Sequence, residues 1–158
     1  MFPKYMGKIT KNETTLLIAE DDDGHAELII DNLREAGFNN EIIRFQDGQE
    51  LINFITAISE TGRASAHGNS YLLLLDIRMP KVDGVEVLRR IKSLPELQKM
   101  PVIMLTTTDD PKEIDKCYEL GCNFYITKPV DYDRFSEMLD RLALFLMVIQ
   151  LPDLKRKV

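Results

Sequence analysis

The sequence predicts a doubly wound α/β fold, a five-stranded parallel sheet with helices packed on both faces. Three observations carry this expectation. Leu72-Leu73-Leu74-Leu75 is an apolar run without alternation, the pattern of a strand buried on both sides. Strand-like runs alternate with helical periodicity five times in 158 residues. Polar residues follow several of these runs directly: Glu20-Asp21-Asp22-Asp23 after the first, Asp76 after the third, and Lys128-Pro129 after the fifth. Open α/β sheets bind ligands at that carboxyl end of their strands.

Residues 1–13 are mixed and polar and read as a loose arm. The first strand is centred on Leu16-Leu17-Ile18-Ala19, and the acidic run with Gly24 turns the chain. Ala26, Ile29, Ile30 and Leu33 then recur at helical spacing until Gly37. Residues 41–45 form a short, less apolar strand suited to a sheet edge. A second helix follows Asp47-Gly48, with Leu51, Ile52, Ile55 and Ile58 inward. Residues 61–70, which include His67, form an unusually long loop before the central strand.

Beyond Asp76, Val85, Leu88 and Ile91 mark a third helix that must end before Pro95. Pro101-Val102-Ile103-Met104-Leu105 is the fourth strand, followed by Thr106-Thr107-Thr108. Asp109-Asp110-Pro111 caps and opens a fourth helix with Ile114, Cys117 and Tyr118 on its inner side, closed by Gly121. Residues 124–127 are the fifth strand. The last helix starts near Asp131 and carries Phe135, Met138, Leu139, Leu142 and Phe145. One domain over residues 14–150, with a tail at 151–158, accounts for the chain.

Composition narrows the function. Hydrophobic residues make up 44% of the chain, enough for a core and too many for wholesale disorder. A net charge of -6 without a basic stripe argues against direct nucleic-acid binding. Cys117 and Cys122 lack metal-site spacing and read as reduced thiols of a cytoplasmic protein. No apolar run is long enough to span a membrane, and the N-terminus has no signal-peptide pattern.

The polar residues at the strand ends resemble those of the receiver domains of two-component response regulators. The matching pieces are Leu17-Ile18-Ala19-Glu20-Asp21, Leu75-Asp76-Ile77-Arg78-Met79-Pro80 with Asp83-Gly84, Pro101-Val102-Ile103-Met104-Leu105-Thr106, and Tyr125-Ile126-Thr127-Lys128-Pro129. Each is weak alone; in this order, each ending a predicted strand, they are specific. The resemblance covers residues 14–145 and implies the flavodoxin-like, CheY-like strand order 2-1-3-4-5, which sets Asp21 beside Asp76.

It also implies a chemistry. Asp76 is the expected phosphoacceptor, with Lys128 and Thr106 contacting the phosphoryl group. Asp21, Asp76 and the backbone carbonyl of Arg78 are expected to hold Mg²⁺, with Glu20 acting through water. Crowded carboxylates repel one another and need a cation, and hard oxygen ligands suit Mg²⁺. Asp22 and Asp23 are better read as a solvated, helix-capping turn. The family pattern implies a cis Lys128-Pro129 bond that aims the lysine inward, and a switch pair of Thr106 and Tyr125. Thr107 replaces a small alanine common in the family and narrows access to Asp76. His25 and His67 have no expected role as ligands or bases.

The expected donor is a sensor histidine kinase. The long loop, Lys92-Ser93-Leu94-Pro95, Asn123-Phe124-Tyr125 and Gln150-Leu151-Pro152 resemble stand-alone regulators serving phytochrome-type kinases. The alternative is a pseudo-receiver that acts only as a protein-binding scaffold, which the intact site positions oppose. A flavodoxin-like cofactor binder lacks its phosphate-binding loop. Residues 142–149 are all apolar, more than one helix face needs. The excess either covers the sheet edge within the monomer or forms the core of a homodimer interface, and the second reading is preferred.

Overall fold

The computed structural model describes residues 14–61, 70–149, 151 and 154. The expected arm, the loop containing His67 and most of the C-terminal tail lie outside the described residues. The elements run β1 (Thr14–Ala19), α1 (Asp23–Glu35), β2 (Ile42–Phe45), α2 (Gly48–Thr61), β3 (Ser70–Leu75), α3 (Gly84–Ser93), β4 (Val102–Thr106), α4 (Pro111–Leu120), β5 (Phe124–Thr127) and α5 (Tyr132–Val148). The strands form one parallel sheet in the order β2-β1-β3-β4-β5.

Burial explains why the strands lack alternation. Leu17, Leu73, Leu75 and Met104 face one core layer with Leu51, Ile55, Leu88 and Ile91. Leu16, Ile18, Leu72, Leu74, Ile103 and Leu105 face the other, with Ile29, Leu33, Leu139 and Met147. Both parities of each central strand are therefore buried, each leucine contributing roughly 1.5–3 kcal/mol. Pairing of Ala19 with Leu75 brings β1 and β3 to their carboxyl ends at the same level.

Aspartates start all five described helices, Asp47 among them, its Oδ1 accepting the Glu50 N–H of α2 at 2.9 Å. The side chains of Asp22, Asp83, Asp110 and Asp131 accept backbone N–H bonds in the first turns of α1, α3, α4 and α5. Gly121 ends α4 in the left-handed conformation, φ 108°.

One expectation about helix faces needs correction. Cys117 is buried and Ile114 half-buried, but Tyr118 is exposed. Its hydroxyl accepts the N–H of Tyr125 at 3.1 Å, satisfying a donor on the edge strand β5. In α5, Leu142, Ala143 and Met147 are buried, whereas Leu144, Phe145 and Val148 are exposed. Phe145 does partly cover the sheet edge, meeting Phe124 edge to face at 5.7 Å.

Candidate phosphoryl-transfer site

Three carboxylates meet where β1 and β3 end. Oxygens of Glu20, Asp21 and Asp76 lie within 4.8 Å of one another, with Glu20 and Asp76 buried and Asp21 exposed. The backbone fixes their level: the Asp76 N–H donates to Ala19 O at 3.1 Å, and Glu20 N–H to Phe45 O at 3.1 Å. Lys128 enters from the end of β5, where its N–H donates to Thr106 O at 2.7 Å. Its buried ammonium bonds the Glu20 carboxylate and reaches Asp76 Oδ2 at 3.2 Å.

One buried ammonium among three carboxylates leaves about two negative charges if all are ionised, a deficit that suits a divalent cation. Burial pushes the Glu20 carboxyl up to about 7, against the pull of Lys128 and with a further push from Asp76. The donors are hard oxygens, so the cluster can coordinate a divalent cation of the Mg²⁺ type. Asp21 and Arg78 also line a cleft with Pro80, Asp83 and Glu113 that gives access from solvent.

Thr106 ends β4 fully buried, and its Oγ1 finds no hydrogen-bond partner among the described residues. A buried hydroxyl left without a partner is costly. Tyr125 is half-buried on β5, its hydroxyl donating to Thr108 O at 2.6 Å. The ring is thus tied to the loop that follows Thr106. Asp22 and Asp23 take no part in the three-carboxylate cluster; Asp22 caps α1 and Asp23 pairs with Arg44 at 2.7 Å.

Three features differ from the expectation or were missed by it. The described peptide bonds are all trans, Lys128-Pro129 included. The bond from Lys128 N–H to Thr106 O and the length of the lysine stem suffice to bring the ammonium inward. His25, given no role, places Nδ1 3.3 Å from Lys128 Nζ and 3.6 Å from Glu20 Oε1. Helical spacing put it on the first turn of α1 but could not say that this turn leans over β5.

Arg44, also missed, projects from the edge strand β2. Its Nε and Nη2 donate to Glu20 O at 3.1 and 2.9 Å, and Nη2 to Asp21 O at 3.3 Å. The only sequence signal was a cation in a short edge strand, which ordinarily reads as protection against aggregation.

This fold and this carboxylate-lysine cluster define a phosphoaccepting signalling module, not a classical enzyme. Residues 16–140 match the response regulator receiver domain, and the chain belongs to that family. It is similar to the crystal structure of a response regulator receiver domain from Rhodospirillum rubrum, with 47% identity and a TM-score of 0.82, covering 88% of this chain and 97% of that one. Response regulator Rcp1 of Synechocystis sp. is 31% identical over 138 residues, 87% of this chain and 92% of its own. The phosphorylated cyanobacterial phytochrome response regulator RcpA is 30% identical with a TM-score of 0.78, covering 89% and 99%. Receiver domains work with histidine kinases, and the acidic cluster fits Mg²⁺-dependent phosphorylation of an aspartate.

Proposed function

We propose that Asp76 is the phosphoacceptor. The observation that carries this is the buried Lys128 ammonium, which spans Asp76 and Glu20 within a carboxylate cluster it cannot neutralise alone. An Asp76 carboxylate oxygen attacks the phosphorus of a phosphohistidine on the kinase. The P–N bond breaks, its electron pair leaves with the imidazole, and an acyl phosphate forms on Asp76. Asp21, Asp76 and the Arg78 carbonyl would hold Mg²⁺, with Glu20 acting through water, and the bound ion would offset charge on the phosphoryl oxygens. Lys128 pairs with a phosphoryl oxygen, and the Thr106 hydroxyl donates to another.

Drawing Thr106 toward the phosphoryl group loosens the space beside Tyr125, whose tie to Thr108 then changes. The outcome is a shift of population at the face of α4, β5 and α5. That face also suits a homodimer: Phe124 and Phe145 flank an apolar groove of about 320 Å³ lined by Met138 and Leu142. Likeness to the phytochrome response regulator RcpA supports a phytochrome-type kinase as the donor. The two free, buried thiols support a reducing, cytoplasmic setting.

Incubation with Mg²⁺ and acetyl phosphate, read by intact mass, tests the assignment. Wild type should gain one phosphate, Asp76→Asn none, and chelation of the metal should prevent the gain. Wild type that stays unmodified, with a partner kinase also failing to transfer, would sink it.

A further inference from the structure

An ammonium group has three protons to donate and nothing with which to accept. Among the described residues, Lys128 Nζ faces three acceptors: Glu20 Oε1, Asp76 Oδ2 at 3.2 Å and His25 Nδ1 at 3.3 Å. Because lysine cannot accept, a hydrogen bond across this contact needs an unprotonated Nδ1, the imidazole tautomer with its proton on Nε2. Glu20 and Asp76 belong to the carboxylate cluster, and Asp76 gives an oxygen to the acyl phosphate. His25 lies outside the three-carboxylate cluster, although its Nδ1 also stands 3.6 Å from Glu20 Oε1.

The ring is also held in place. Its residue sits in the first turn of α1, where its backbone N–H donates to Asp22 Oδ1 at 2.9 Å. On the other side it meets Phe135 of α5 edge to face, 6.0 Å between centroids at 65°. With Thr107, Pro129 and Tyr132 it lines a cavity of about 290 Å³ beside Lys128.

We propose that His25 is a positioning residue for Lys128, its Nδ1 fixing the ammonium over Asp76 while the carboxylates engage the metal and the phosphoryl group. This rests on the phosphoryl-site reading above. A lysine held on one side in advance loses less freedom when it pairs with the incoming phosphoryl oxygen.

The test separates the acceptor atom from the ring. His25→Phe keeps an aromatic ring against Phe135 but has no acceptor; His25→Asn restores an acceptor near the position of Nδ1. The first readout needs no phosphorylation: nitrogen-detected NMR of the lysine ammonium groups in metal-free protein, with Lys128 assigned by its loss in Lys128→Arg. Proton exchange at Lys128 should be slow in wild type and His25→Asn, and about fivefold or more faster in His25→Phe. The second is the saturation curve for acetyl phosphate with Mg²⁺. Its limiting rate should fall about fivefold in His25→Phe, with the half-saturating concentration unchanged, and largely recover in His25→Asn.

Wild-type exchange and limiting rate in His25→Phe would overturn the proposal. So would a His25→Asn variant as impaired as His25→Phe, because the ring's shape and not its acceptor would then matter. If His25→Phe does not fold by circular dichroism, His25→Ala against His25→Asn makes the same comparison with the same deciding outcomes. Should even wild type refuse phosphate, the site reading fails, and the ammonium exchange still decides whether His25 holds Lys128.

Discussion

Glu20 is a carboxylate only 2% exposed, with its ordinary value of 4.5 pushed to about 7, chiefly by burial. Between those two values the folded protein keeps a proton that the unfolded chain has released. Stability of the metal-free protein therefore falls as pH rises through that window. Melts in chelator should show a lower Tm at pH 7.5 than at pH 5.5, and Glu20→Gln should remove much of the difference. A Tm that rises with pH in wild type, or a slope the variant leaves unchanged, would contradict this. Mg²⁺ favours the ionised site, so its stabilising effect should grow over the same range. Glu20, Asp21, Asp76, Thr106 and Lys128 were all visible in the sequence because each stands at a strand end, where one-dimensional order already fixes three-dimensional place. His25 and Arg44 were not, since their roles depend on which way a helix turn leans and which way an edge side chain reaches. Neither direction is written in a period of 3.6 or 2.

At the scale of elements, the turn from β3 into α3 is a tight junction beside the site. A Cβ on Gly84 would lie 2.1 Å from the backbone oxygen of Asp76 and 2.9 Å from Ile77 Cα. Gly84 N–H also donates to Ile77 O at 2.7 Å, so the loop cannot simply swing away. Gly84→Ala should cost about 2–3 kcal/mol in a urea melt, the scale of overpacking against backbone. It should also slow phosphorylation, because relief of the clash moves Asp76. A variant within a few tenths of a kcal/mol of wild type would show that the junction yields freely. The elements themselves were legible from apolar runs, caps and glycines. The facing of α4 was less so: Tyr118 falls one turn after Ile114, yet β5 is the outermost strand and leaves its ring in solvent.

For the whole molecule, the exposed apolar residues of α5 bear on the proposed homodimer. Leu144 is 57% exposed and Val148 61%, beside Phe145 and the exposed Phe124. Exposed apolar surface on a helix marks an interaction site, and the proposed homodimer should bury these side chains. Sedimentation at micromolar protein should give a dimer for wild type and a folded monomer for a Phe145→Glu, Val148→Glu double variant. Wild type that stays monomeric with and without phosphodonor would rule the interface out.

Arg44 couples two parts of the molecule that differ in strength. Edge strands are where sheets fray first, and β2 is four residues long with a partner on one side only. Yet it is from β2 that a guanidinium grips the carbonyls of Glu20 and Asp21. Any fluctuation that peels β2 from β1 also breaks these bonds to the loop carrying both acidic side chains. The acidic centre is thus tied to an edge strand of the sheet as well as to the core beneath it.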